Sequence, residues 1–371
     1  MFICVLCLCL ISIQASFINA KKYSIDFQYS PSKLLSEGIN HYKYILDGKH
    51  DYSLNDKIME HQNGEYAHGL YVLFLPFAFL DWNNAKILWA VINIFLSIVI
   101  PILLGRRFNL SKIKIFICAA LYLLSTIFRI NVGWGQQTTF IFLFFILPFL
   151  FKSNISIILS GVCYFKYNIG YALFLYFLAK KKINFIFYSL IPVTIGWIIY
   201  SLISNTNLIE SLFQPLLVVK YLDLTVSFPI FFGFLSKFNF EYIYIYGLSV
   251  LVNFFLIYKF NNLKNELLKL SMICLSILIF LPHSIQDYLL LLPLLLFSVK
   301  NFKKNISKIN LFVIFYFFFF LRIVSFFYSI QPWEFTRTIF WGYLNIFILF
   351  TLLMLNFFYY SKYKISEDAS K

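Results

Sequence analysis

Charge is what this chain has least of. Only 13% of its 371 residues are charged, where soluble domains carry about 25%. So few charges cannot cover a water-facing surface of this size, which excludes a soluble globular protein. Cysteine is missing where it would matter. All six, Cys4, Cys7, Cys9, Cys118, Cys163 and Cys274, lie in apolar segments, so the long polar loop has no disulfide framework. The thiols, including the lone CxxC of Cys4 and Cys7, read as small packing residues. Neither a GxGxxG turn in strand–helix context nor a P-loop occurs. A DxD pair, which would hold a metal–nucleotide complex, is also lacking. No basic stripe with interleaved aromatics lies outside the apolar runs, which argues against nucleic acid as a partner. Internal repeats are absent too, which weakens a transporter reading, since many secondary transporters are built from them.

What is present is apolar and aromatic, at 61% and 22% of residues. Apolar runs of about 20 residues recur along the chain, the length a bilayer span needs. They predict an all-α integral membrane protein of about 10–12 transmembrane helices with short re-entrant elements. The net charge of +15 is gathered in short loops. Arg106, Arg107, Lys112 and Lys114 form one cluster, Lys180 to Lys182 another, and Lys259, Lys264 and Lys269 a third. Lys300, Lys303, Lys304 and Lys308 form a fourth, and Lys362, Lys364 and Lys371 lie in the tail. The positive-inside rule places all of these in the cytoplasm. Of the sixteen acids, only Glu266, Glu367 and Asp368 fall on that side.

The spans expected are 1–19, 87–105, 113–131, 138–151, 183–203, 242–258, 268–282, 285–299, 309–329 and 338–360. Residues 1–19 have no basic n-region and a poor cleavage site at Ser16 to Ala20, so they read as the first span rather than a signal peptide. Residues 66–81 are apolar but short, and as a span they would put Arg106 and Arg107 on the wrong face. They are therefore expected to be re-entrant or interfacial. Residues 155–179 lie between cytoplasmic lysines and are too few for two spans of about 20 residues each. A short hairpin with Lys166 at its outer tip is expected there. Such elements need cover from protein or a water-filled cavity. Trp82, Trp134 and Trp333 fall at outer span ends, as an aromatic belt does. The organisation expected is one polytopic domain over 1–360, containing an outer loop at 20–69, with a cytoplasmic tail at 361–371. The location expected is the cell (plasma) membrane.

The outer loop holds Asp26, Glu37, Asp47, Asp51, Asp56, Glu60 and Glu65, with His41, His50, His61 and His68. As the one long polar segment, it must collect polar residues, and most are simply solvated. The histidine spacings of nine, eleven and seven match no compact ligand set, so neither a metal nor a cofactor is expected. Asp26 differs, because it stands at the membrane–water boundary just before an expected helix over 31–44. Partial desolvation there raises a carboxylate's basicity. A general base would stand at that place to deprotonate an acceptor whose co-substrate is a lipid. Charged groups in or near spans are functional suspects. Arg129 precedes Gly133-Trp134-Gly135-Gln136-Gln137, Lys166 tips the hairpin, and Arg322 interrupts an aromatic run. His283 and Asp287 share a polar turn between two very apolar spans. Snorkelling to the headgroups is the plain alternative for Arg129 and Arg322. One acid and several cations thus gather on one face, where the cations could stabilise a departing lipid phosphate.

Asp26-Phe27-Gln28-Tyr29 with Gly38 and Tyr42 resembles the first outer loop of the family 87 glycosyltransferases. That family belongs to the C superfamily of membrane glycosyltransferases, uses polyprenyl-phosphate sugars and includes bacterial mannosyltransferases. The similarity continues in order through Leu73 to Ala78, then Ala85, Trp89 and Asn93, then Gly135-Gln136, Gly161 with Lys166, and Pro282 to Tyr288. It implies a C-superfamily-like fold with Asp26 as catalytic base of an inverting, metal-independent hexose transfer, mannose being the expected hexose. The acceptor would be a lipid- or glycan-linked hydroxyl at the extracytoplasmic face. Lys166, Arg129 and Arg322 would bind the donor phosphate. His283, Asp287, Gln136 and Tyr29 would contact substrate. The chain departs from the family in having Tyr66-Ala67-His68-Gly69 where the family has a tyrosine followed by prolines, and in having no proline after Lys166. A transporter or flippase of lipid-linked glycans is the alternative, with a structural or assembly subunit behind it.

Overall fold

Helix starts follow the capping chemistry of the sequence. Asn40 Oδ1 accepts the Lys43 amide at 3.1 Å, Ser153 Oγ the Ser156 amide at 3.2 Å and Asn265 Oδ1 the Leu268 amide at 3.0 Å. Each satisfies an amide that has no intrahelical partner. The computed structural model describes residues 2–48, 66–221, 231, 235, 238, 241–320 and 339–369. His50, Asp51, Asp56, Glu60, His61, Glu65, Arg322 and Trp333 lie outside the described residues.

Among the described residues every regular element is a helix. After α1 (Phe2–Lys22) come α2 (Tyr29–Ser36), α3 (His41–Leu46), α4 (His68–Ala78) and α5 (Trp82–Arg107). Next are α6 (Lys112–Leu124), α7 (Thr126–Gly133), α8 (Thr138–Leu150) and α9 (Asn154–Ser160), the last running into a 3-10 turn at Gly161–Phe165. The middle of the chain forms α10 (Tyr167–Ala179), α11 (Ile183–Ile203), α12 (Leu208–Tyr221), α13 (Tyr242–Phe260) and α14 (Glu266–Phe280). A 3-10 helix (Ile285–Leu291) leads into α15 (Leu292–Lys300). Then α16 (Asn305–Phe315) ends in a π turn at Tyr316–Phe320, and α17 (Ile339–Ala369) runs on through the expected tail.

This is an all-α membrane protein. Among the described residues, four helices are long and apolar enough to cross a bilayer: α1, α5, α11 and the Gly342–Ser361 part of α17. The pair α6 and α7, bent by 61°, would make a fifth. The ten to twelve full spans expected from hydropathy are therefore not all continuous helices. Residues 138–151, expected as a span, form the 13-residue α8, about 20 Å long against a hydrocarbon core of about 30 Å. The expected span 285–299 opens as a 3-10 helix. The break in 113–131 has a cause at Ser125, whose Oγ donates to the Tyr122 carbonyl at 2.6 Å and accepts the Phe128 amide at 3.2 Å. It replaces the helical ladder with a side-chain cap. The element at 66–81 is short, as expected, and 155–179 is a broken hairpin with Lys166 at its turn.

The contacts resolve the expected 1–360 domain into two compact units. The first comprises Met1–Ser97, Arg129–Tyr171 and Ile183–Leu224; the second comprises Ile98–Phe128, Ala172–Lys182 and Thr225–Lys371. In the first, α11 is the spine against which α4, α9 and the 3-10 turn pack. Glycine permits the closest approaches. A side chain at Gly161 would strike the Ser189 carbonyl of α11, and one at Gly196 would strike Gly69 of α4. Without water to drive helices together, small residues that admit a neighbouring backbone supply the packing. In the second unit α14 is buried on every side from Leu267 to Phe280, as a central helix is. Around it pack α13, α15 and α17. Asn310 on α16 and Asn356 on α17 exchange amide hydrogen bonds of 2.9 and 2.8 Å.

Candidate active site

The site in the first unit begins where α1 ends. Ser24 adopts a positive φ of 44°, and the chain turns to pair with the end of α7. The Ser24 amide donates to the Gly133 carbonyl at 3.2 Å, and the Asp26 amide to the Trp134 carbonyl at 2.9 Å. Gly135 answers from the other side. Its φ is +70°, and a Cβ there would lie 2.8 Å from the Phe27 Cβ. Both the left-handed backbone and the close approach require glycine. Phe27 itself is fully buried and stacks on Trp89, with centroids 5.4 Å apart and planes at 9°. Trp89 Nε1 donates to the Gly135 carbonyl at 2.8 Å, and Asn93 Nδ2 to the Gln136 carbonyl at 3.1 Å. Residues from α1, α5 and α7 thus fix one short loop.

That loop holds Asp26, which is half-buried. Gln136 Nε2 donates to its carboxylate, and Gln137 Nε2 to its backbone carbonyl at 2.6 Å. Gln28 Nε2 donates to the same carbonyl at 3.2 Å. One residue further on, Thr138 Oγ1 accepts from Lys166 Nζ at 2.7 Å. Lys166 is only 6% exposed and sits where the 3-10 turn meets α10. Three successive residues, Gln136, Gln137 and Thr138, therefore carry both an acid and a cation at the amino end of α8. Buried oxygens of Gln28, Gln136, Gln137 and Thr139 have no protein hydrogen bond. Such groups are rare in folded proteins and call for a ligand or water.

The other expected residues are placed as follows. Arg129 belongs to the first unit, half-buried on α7. Tyr29, expected to touch substrate, gives its hydroxyl to the Leu80 carbonyl at 2.8 Å. Burial first, then Asp81 and Glu37, raises its pKa. It fastens α2 to the chain just beyond α4. His283 and Asp287 lie in the second unit. Asp287 Oδ2 accepts the Ser284 amide at 3.0 Å in a capping box that starts the 3-10 helix. His283 Nδ1 lies 3.2 Å from the Leu281 carbonyl. Arg322 lies outside the described residues.

The two described histidines of the segment between α1 and α5 tie it down. His41 Nδ1 meets the Tyr200 hydroxyl at 3.0 Å, and that hydroxyl donates to Asn40 Oδ1 at 3.0 Å. Asn40 Nδ2 donates in turn to Gln214 at 2.8 Å. His68 Nε2 lies 2.9 Å from the Ser211 carbonyl. Burial pushes its pKa down to about 4, against a smaller upward pull from that carbonyl. The ring is thus neutral at pH 7 and donates through Nε2. Among the described residues no group of three or more His, Cys, Asp and Glu could hold a metal.

Gln137, Thr138 and Thr139 belong to no motif in the sequence. Their signal was present as four consecutive polar residues, Gln136 to Thr139, followed by an uninterrupted apolar helix. All four are buried. Compared with family models, curated proteins and solved structures, the chain matches none.

Proposed function

We propose that the chain is a membrane glycosyltransferase that moves a hexose from a polyprenyl-phosphate donor to a hydroxyl of a lipid- or glycan-linked acceptor. The reading rests chiefly on the mount just described, where Asp26 and Lys166 are held by neighbouring residues at one helix end. Asp26 takes the acceptor proton. The acceptor oxygen forms a bond to the anomeric carbon from the face opposite the phosphate. The bond from that carbon to the phosphate oxygen breaks, and the electron pair leaves with the lipid phosphate. Lys166, together with the positive amino end of α8, suits the developing phosphate charge. Arg129, on α7 of the same unit, is a further candidate to meet that phosphate. The unpartnered amide and hydroxyl oxygens beside Asp26 suit a polyhydroxylated ligand.

The test is transfer by the purified protein in liposomes containing polyprenyl-phosphate mannose, read as released polyprenyl phosphate. Asp26→Asn should lower the rate by about 10²–10⁴ while the protein stays folded. Full activity in that variant would overturn the base assignment. Appearance of intact donor on the opposite face without a new bond would favour a flippase instead.

A further inference from the structure

We infer that the second unit carries a lipid site of its own, in which one hydrocarbon chain of an anionic phospholipid lies in the groove between α6, α15 and α16 with its phosphate on Lys114. The groove encloses about 440 Å³, within the range of about 300–1,000 Å³ typical of small-molecule sites. Three helices line it with single stripes. Ile117 and Leu121 come from α6, Leu295 from α15, and Phe315 with Phe318 from α16 and its π turn. Lys114 is the one charged residue in the lining. It lies on the same stripe of α6, three residues before Ile117 and seven before Leu121, because residues three, four and seven apart share a helix face.

The dimensions select a lipid of one leaflet. Seven residues of helix rise about 10 Å, and half of the hydrocarbon core is about 15 Å. The groove thus runs from Lys114 through about two-thirds of a leaflet. It opens sideways, since Ile117 is 41% and Phe315 54% exposed. π turns are rare and frequently lie at functional sites, and here one brings Phe318 and Phe319 to the lining.

Charge selects an anionic headgroup. Residues 98–128 contain four basic residues and no acid, and residues 292–320 contain four more and no acid. The cationic end is also preorganised. Lys114 Nζ donates to the Lys300 carbonyl at 3.0 Å, and Lys300 Nζ to the Phe108 carbonyl at 2.6 Å. An ammonium carries three donors, so one bond to Lys300 fixes the group while leaving it able to meet a phosphate. Polybasic surfaces next to a span attract anionic lipid.

The test uses the full chain in detergent, titrated with phosphatidylglycerol or with phosphatidylcholine of the same chains and read by native mass spectrometry. Phosphatidylglycerol should bind at least ten-fold tighter, with one molecule retained per chain. Lys114→Gln, which can still donate to Lys300, should weaken that molecule's binding about ten-fold. Leu121→Trp, which fills the groove, should remove it, while Lys264→Gln, in another basic loop, should change nothing. Equal binding of the two lipids, or wild-type binding by both Lys114→Gln and Leu121→Trp, overturns the site. Displacement of phosphatidylglycerol by equimolar polyprenyl phosphate would overturn the choice of occupant. No glycosyl donor enters the assay, so its failure leaves the transferase reading untouched.

Discussion

In the first unit, Asp26 and Lys166 hang on a run of amide and hydroxyl side chains, and Gln28, Gln136, Gln137 and Thr139 beside them keep buried oxygens without protein partners. In the second, Asn310 and Asn356 satisfy each other and Asp287 closes a capping box. Of its unpartnered hydroxyls, Ser249, Ser298 and Ser307 are spread over α13, α15 and α16, and that of Tyr288 lies one residue from Asp287. Polar groups in an apolar interior are costly in either place. Where they pair with one another they hold helices in register. Where they cluster around an acid with their bonding incomplete, they are set up for something that comes and goes.

The comparison breaks most completely if the first unit cannot form. Gly161 lies against the Ser189 carbonyl of α11, and backbone cannot step aside as a side chain can. Gly161→Val should cost more than about 3 kcal/mol and yield little folded protein by size-exclusion chromatography in detergent. Gly247, where an added Cβ meets nothing within 4 Å, is the control, and Gly247→Ala should fold as wild type. Normal yield and normal activity in Gly161→Val would mean that the α11 contact is not as close as described.

The two acids sharpen the comparison next. Asp26→Asn should remove activity by the factor given above with unchanged thermal stability. Asp287→Asn should do the reverse, lowering stability by about 1 kcal/mol through the weakened cap while retaining transfer. If Asp287→Asn loses transfer at unchanged stability, the polar turn at 282–288 belongs to the chemistry and not to the scaffold.

The latch at His68 has a pH signature. His68 has a folded pKa of about 4, below the ordinary value of about 6.5. Above pH 6.5 the ring is neutral whether the protein is folded or not, and its contribution is complete. As pH falls from about 6.5 to about 4, the unfolded chain takes up a proton that the folded chain refuses, so stability declines by up to about 3 kcal/mol. Thermal unfolding across that window should show the decline, and His68→Gln should flatten it. An equal slope in the variant would assign the pH dependence elsewhere.

Hydropathy located the long helices well because α1, α5 and α11 are continuous, and their expected spans 1–19, 87–105 and 183–203 fall within the observed helices to within a few residues. It also marked 66–81 as too short and put Lys166 at a turn. It could not see where a helix breaks. Apolar length measures the cost of leaving lipid, whereas the Ser125 cap, the 3-10 start at Ile285 and the π turn at Tyr316 concern the hydrogen-bond ladder. Asp26 and Gln136 were legible as members of an ordered pattern. Their mutual hydrogen bond was not, because it joins residues 110 apart in sequence. The bond from the Tyr29 hydroxyl to the Leu80 carbonyl was hidden for a similar reason, since the two lie 51 residues apart.

The smallest test concerns the second unit. If Asn310 and Asn356 serve only each other, each single change to leucine should strand the partner's amide, at about 1–2 kcal/mol. The double change Asn310→Leu with Asn356→Leu should then cost less than the two singles added, because no polar group remains unpaired. Interhelical hydrogen bonds in membranes average about 0.6 kcal/mol, so the coupling expected from a reciprocal pair is about 1 kcal/mol. Measured by reversible unfolding in mixed micelles, a coupling near that size with unchanged transfer would confirm a structural pair. Additive losses would mean that the two amides do not meet. Loss of transfer at full stability would place a working polar group in the second unit and dissolve the contrast between the two.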